Sequence, residues 1–207
     1  VPYKGRIIGY VEWLFPGLLS LNVMWMALWG VGWVIVRQRK LGVLKRAKAS
    51  PLRSFEYLLA QIVSRMIILV ASGLIVFGLS HIIYPFQTVG SYGELLFVYT
   101  LGCFSLSSMG LVIAARITSE ELASGLLNLL TFPMMFLSEI WFSLEGSPSW
   151  VLWLAKSLPL WHMTNGMRLI MNEGANLWEL KTSLIILTII GVFCTTLGSM
   201  LFKWNKE

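Results

Sequence analysis

Apolar residues along this chain come in long, nearly unbroken runs rather than in the one-sided or alternating patterns of a soluble fold. A helix rises about 1.5 Å per residue, so roughly 20 predominantly apolar residues are needed to cross the hydrocarbon core of a bilayer. Five runs reach that length, over residues 13–36, 57–84, 95–115, 122–144 and 182–202. The pattern predicts an all-α integral membrane fold with five transmembrane helices. Residues 149–176 are also apolar, but Lys156, Pro159, His162, Arg168 and Glu173 interrupt them. Lipid cannot solvate loose backbone, so this stretch is expected to form short external helices that lie in the interface or dip in and return.

One polar segment, 37–56, separates the first two runs. It carries Arg37, Arg39, Lys40, Lys45, Arg46, Lys48 and Arg53, seven of the chain's 16 basic residues, and a single acid, Glu56. Within it Leu41, Leu44 and Ala47 recur every three residues between basic positions, which predicts a short amphipathic helix at the membrane surface. Pro51 cannot continue a helix and biases Ser50 away from one, so this helix should stop there and the next begin near Arg53. The segment reads either as a positive loop that fixes topology or as a docking helix for a cytoplasmic partner.

Composition supports the membrane reading. The 207 residues are 57% hydrophobic and only 13% charged, where soluble domains carry about 25%, and the mean hydropathy is +0.74. The net charge of +6 is concentrated in that one loop, which makes it a topology and membrane-surface signal and leaves nucleic acid out of the expected partners. With 37–53 in the cytoplasm, that side also receives Arg116, Lys203 and Lys206, ten basic residues in all. The other side has Lys4, Arg6, Lys156, Arg168 and Lys181, five in all, and Arg65 lies within a span. This bias orients the chain with its first residues outside and its last residues in the cytoplasm. An outside start implies a further span ahead of Val1. Trp141, Trp150, Trp153, Trp161 and Trp178 then gather at the outer face as an aromatic belt.

The chain contains no GxxxxGK[ST] phosphate loop, so ATP and its Mg ion belong to a separate subunit in any ATP-driven mechanism. Cys103 and Cys194 lie inside apolar runs without metal-ligand spacing and read as packing residues. His81 and His162 belong to no metal motif, and no metal or other cofactor is assigned to this chain.

Several short motifs recur in order in a way that resembles a known family. Phe15-Pro16-Gly17-Leu18 opens the first run, and residues 39–61, RKLGVLKRAKASPLRSFEYLLAQ, form a loop with a Gly, a Ser-Pro pair and a following acid. Phe132-Pro133-Met134-Met135-Phe136-Leu137-Ser138 precedes Pro148-Ser149-Trp150, and Leu158-Pro159-Leu160 is followed by Met167-Arg168. Together they resemble the ATP-binding-cassette type-2 transporter permeases, the membrane subunits of a broad class of exporters. The resemblance covers essentially all of 1–207 as one permease domain. It departs from the family pattern at Lys40 and Lys45, where acids are frequent, and at Glu139, where Gly is usual.

The resemblance implies a cytoplasmic ATPase partner and a second permease copy or paralogue in a membrane of lipid, by implication the bacterial inner membrane. It implies that 37–56 is a coupling helix contacting that ATPase through Lys40, Leu41, Gly42, Leu44, Lys45, Lys48 and Pro51. It also implies that the first and fourth runs meet their copies at a two-fold axis and line the substrate cavity.

From the residues alone, Trp25, Trp29 and Trp33 share one helix face with Asn22 and Met26 nearby, either packed on neighbouring spans or lining a substrate path. Asn128, Thr131, Phe132, Met135 and Glu139 lie along one side of the fourth run, which Pro133 can bend. Arg65 and Glu139 are charges within apolar runs: Arg65 reads either as a stem that snorkels to the cytoplasmic surface or as a functional group, and Glu139, nearer the outer end, as a water-exposed, cation-attracting or gate residue. Gly110 and Ala114, and Gly191, Thr195 and Ser199, place small residues four apart for close helix packing. Two other classes compete with an exporter subunit that moves an amphipathic, drug-like or lipid-like substrate or a lipid-linked glycan by alternating access. One is an intramembrane acyl- or glycosyl-transferase, opposed by the absence of Asp and of a nucleophile beside either His. The other is a membrane scaffold, for which a polar, kinked fourth run is unnecessary.

Overall fold

The computed structural model describes residues 2–3, 6–7, 9–49, 53–83 and 88–202. Two two-residue strands, β1 (Pro2–Tyr3) and β2 (Arg6–Ile7), pair antiparallel at the start, and the rest of the described architecture is helical.

The first rod begins at Gly9, whose N–H donates to the Glu12 carboxylate at 3.3 Å, and runs as α1 (Tyr10–Leu28), a π-helical segment (Trp29–Trp33) and α2 (Val34–Lys40). The widened π turn falls on the sequence WGVGW, where Gly30 and Gly32 remove the side chains that would crowd it. Gly42 then adopts a left-handed conformation, φ 73°, and breaks the rod. Behind it lie α3 (Val43–Lys48), α4 (Ser54–Ile83), α5 (Tyr92–Arg116) and α6 (Glu120–Leu137), the last capped by the Ser119 hydroxyl accepting from the Leu122 N–H at 3.3 Å. α7 (Ser149–Ser157) and α8 (Pro159–Arg168) follow. α8 has proline at its first position, continues as a second π segment (Leu169–Glu173) and ends at left-handed Gly174. α9 (Lys181–Leu201) completes the described helices.

Among the described residues, four helices are long and apolar enough to cross a membrane: Tyr10–Lys40, Ser54–Ile83, Tyr92–Arg116 and Lys181–Leu201. The expected run over 122–144 does not persist as one helix. α6 ends at Leu137, and Glu139 takes a left-handed φ of 54° that stops it. Its 18 residues span about 27 Å, with Glu120 and Glu121 in the first turn and Asn128 midway. The Pro51 expectation falls outside the described residues, and α3 ends at Lys48.

α5 is the central element. Gly110 sits against the backbone of the π segment: a Cβ there would stand 2.9 Å from the Leu28 carbonyl and 3.1 Å from the Gly32 nitrogen. On α9, Gly191 lies against the Phe104 ring and Gly198 against Leu111, and the Ser108 and Thr195 hydroxyls are 2.9 Å apart. Small residues thus let α5 approach both neighbours closely, the packing expected of them. α4, by contrast, buries only Leu58, Ile62, Leu69 and Gly73. One core cluster joins α1, α5 and α8. A smaller one at the basic end joins Val31, Ile35, Leu44, Leu58 and Leu111.

Candidate functional site

Three features of this fold carry polar chemistry: the two ends of the bundle and one open stripe along the first rod.

At the basic end, α2 finishes with Arg39 only 7% exposed. Its guanidinium donates to the carbonyls of Ala114 (3.0 Å), Ala115 (3.1 Å) and Ile117 at the C-terminus of α5 and lies 5.4 Å from the Phe202 ring. A helix leaves its last carbonyls without intrahelical donors and with partial negative charge, so a buried cation there satisfies both demands. Lys40 reaches Glu120 at 3.3 Å, and the Tyr57 hydroxyl and Gln61 amide converge on Gln38 at 2.5 and 3.3 Å. α3 projects from this anchored base. Leu44, expected as a docking knob, is instead fully buried in the smaller core cluster, whereas Leu41 is 64% and Val43 41% exposed. Lys45 and Lys48 are exposed, and Gly42 has no side chain or backbone within 4 Å of where its Cβ would stand.

At the opposite end the short helices form a tied block. Arg168, 5% exposed, donates from Nε to the Trp13 carbonyl at 3.0 Å and from Nη2 to the Glu139 carbonyl at 2.7 Å, with its guanidinium 3.9 Å from the centre of the Trp13 ring. One side chain thereby joins α8, the start of α1 and the turn after α6. The buried His162 bridges Lys156 of α7 and Ser183 of α9, with Nε2 2.8 Å from the Lys156 carbonyl and Nδ1 3.0 Å from the Ser183 hydroxyl. A carbonyl only accepts, so Nε2 carries the hydrogen and Nδ1 accepts from Ser183. Burial pushes the imidazole pKa down, and the charge of Lys156 adds to this against its carbonyl. The N–H groups of Val89 and Gly90 donate to the carbonyls of Met171 and Ile170 and hold the approach to α5 against the same block.

Between the ends, one face of the first rod is only half-covered, with Trp25, Met26, Trp29 and Trp33 packed in part against the larger core cluster. Val23, Met24, Ala27, Leu28 and Val31 are fully buried on its inner side, while Trp25, Met26, Trp29, Gly30 and Trp33 are half-buried and Asn22 is exposed. The Trp25 and Trp29 rings lie 6.0 Å apart, and Phe132 of α6 meets Trp25 edge-on at 6.2 Å. The structure thus brings the aromatic stripe and the fourth run together at Trp25 and Phe132. Thr131 is buried and Met135 packs on the core, while Asn128 is half-buried, its carbonyl accepting from the Thr131 hydroxyl at 3.4 Å. Glu139 offers its main-chain carbonyl to Arg168. An apolar cavity of about 260 Å³ lies elsewhere, between α1, α4 and α5, lined by Leu19, Val70, Phe77, Tyr92, Leu96 and Met167.

Sequence reasoning missed the joining roles of Arg39, Arg168 and His162. Their partners are backbone carbonyls and a serine, which carry no motif. The signal present was a basic or imidazole residue inside an otherwise apolar stretch.

These features define a polytopic helical membrane protein with a basic, partly exposed loop helix at one end and a tied cap of short helices at the other. The sequence model of the ABC-2 type transporter matches residues 4–172, and the chain belongs to that family of transporter membrane subunits. Among similar proteins are the inner membrane transport permeases YhhJ of Escherichia coli K12 and of Shigella flexneri, each 23% identical over 192 residues. The match covers 91% of this chain and 51% of each relative, so the chain spans about half the length of these curated relatives.

Proposed function

We propose that this chain is the membrane-spanning portion of an exporter's permease, in the bacterial inner membrane, and that α3 is its coupling helix to a cytoplasmic ATPase that binds ATP and Mg. The observation that carries this reading is the arrangement at the basic end. Arg39 and Leu44 lock the base of α3 into the bundle, and Leu41 and Val43 face outward among Lys40, Lys45 and Lys48. A rigidly based helix with two exposed apolar side chains and a basic rim is suited to seat in a groove and to pass motion along the first rod as a rigid body. Leu44 then supports the helix from inside rather than touching the partner.

In this reading α6 is the fifth crossing, with the basic end cytoplasmic and the Arg168 block outside. The open faces of α1 and α6 meet a second copy or a paralogue, and Asn22, Trp25, Met26, Trp29, Trp33, Asn128, Phe132 and Met135 border the path of an amphipathic substrate. Thr131 and Glu139 shape that path from behind. Alternating access follows if the substrate binds the inward and outward arrangements with different affinity.

The test is substrate-stimulated ATP hydrolysis by the complex of permease and ATPase. Trp29→Ala is expected to change the stimulation while the complex still assembles. Unchanged stimulation in an intact complex would remove the stripe from the path.

A further inference from the structure

Arg65 stands on the half of α4 nearer the basic end, about 16 Å along the 30-residue helix from Ser54, and has no hydrogen-bond or ion-pair partner among the described residues. Its position is nevertheless defined. A Cβ on Gly30 would stand 2.8 Å from Arg65 Nε and 2.9 Å from its Cδ and Cζ, so the guanidinium lies directly on the backbone of the π segment. A side chain at position 30 would have to push it aside. Gly30 lies on the open stripe between Trp29 and Trp33. Trp29 Nε1 is itself buried without an acceptor among the described residues, and Arg37 lies with its guanidinium 5.0 Å from the Trp33 ring. The stripe therefore holds an unpaired guanidinium and an orphan N–H donor beside aromatic faces, with a second cation toward its basic end. Unsatisfied donors at membrane depth are costly, and an ionisable group held there marks a site that something else completes.

From this geometry we propose that Arg65 is an anion-selecting residue of the substrate path, and that the path takes an amphiphile bearing a phosphate. The phosphate oxygens receive the Arg65 guanidinium over Gly30 and the apolar chain lies along Trp25, Trp29 and Phe132. Guanidinium pairs with phosphate through parallel N–H donors, which a neutral head group cannot match. This assignment rests on the proposed substrate path and adds its charge preference. It also gives the π turn a role, since the widened turn with glycine at position 30 is what seats the guanidinium against the rod.

The test is a binding titration of the full chain in dodecyl maltoside micelles, read by tryptophan fluorescence, with dodecyl phosphate, dodecyltrimethylammonium and inorganic phosphate as probes. Dodecyl phosphate should saturate, dodecyltrimethylammonium should not, and inorganic phosphate at equal concentration should fail to displace the bound amphiphile. Arg65→Gln should weaken dodecyl phosphate binding about tenfold or more, the loss expected for a charged hydrogen bond. Arg65→Lys should retain part of it, and Gly30→Ala should weaken it by displacing the guanidinium. Helical circular dichroism and elution volume identify any variant that fails to fold, and Arg65→Lys then carries the test. Arg65→Gln binding dodecyl phosphate as the wild type does would overturn the proposal, and so would displacement by inorganic phosphate at equal concentration. If Arg65→Gln leaves binding unchanged while Trp29→Ala alters substrate-stimulated ATP hydrolysis, the exporter reading stands and the anion preference falls. If Arg65-dependent binding holds in a chain that recruits no ATPase, the anion site stands and the exporter reading falls.

Discussion

At one end of the bundle Arg168 donates to the carbonyls of Trp13 and Glu139. At the other, Arg39 donates to those of Ala114, Ala115 and Ile117. Both are buried guanidiniums that donate to main-chain carbonyls, and their surroundings differ. Arg168 closes a block in which α1, the turn after α6 and α8 meet, with His162 tying α7 and α9 to the same block. Arg39 caps a single helix, and beyond it α3 stands out with Leu41 and Val43 exposed. One end is tied shut, and the other presents exposed apolar side chains from a fixed base. The same chemical device therefore serves closure in one place and presentation in the other.

The comparison breaks first at Arg168. Replacing it with Met leaves two carbonyls and the Trp13 face without their donor, and a loss of about 3 kcal/mol or more is expected, visible as a large fall in Tm in detergent. Arg168→Lys should recover little, because an ammonium cannot make both directed bonds and stack on the ring. Arg39→Gln should cost less, about 1–2 kcal/mol, since it uncaps one helix terminus that water can partly resolvate. Equal losses at the two arginines would erase the distinction between a closed end and an anchored one.

A smaller effect is expected at His162. Its pKa in the folded chain lies below the ordinary 6.5 because the ring is buried, so the unfolded chain takes up the proton first as the pH falls. Stability from this group is complete above about pH 6.5 and declines as the pH drops through the folded value. Thermal denaturation at pH 7.5 and pH 5 should show a decrease that His162→Asn reduces. An unaltered decrease in that variant would assign the pH sensitivity to other groups.

The long apolar runs made the four crossing helices legible, since length and hydropathy alone specify them. α6 was less so, because Ile140, Trp141, Phe142 and Leu144 extend the apolar run while the left-handed backbone at Glu139 ends the helix beneath it. Leu41, Leu44 and Ala47 shared a face only on the assumption of one helix through all three. The left-handed Gly42 starts α3 at Val43, places Leu41 ahead of it and turns Leu44 inward. The aromatic stripe was visible as a spacing, and its contact with Phe132 required the fold. The stations of Arg39, Arg65 and Arg168 were beyond sequence because main-chain carbonyls, a neighbouring glycine and an aromatic face carry no motif that marks them.

The exposed pair at the start of α3, Leu41 and Val43, carries the account's central claim, and one measurement reaches it directly. The permease carrying Leu41→Glu and Val43→Glu together should lose co-purification with its ATPase while keeping the Tm of the unmodified chain, because neither side chain belongs to the buried core. Retained co-purification at unchanged Tm would contradict the assignment of α3 as the coupling helix.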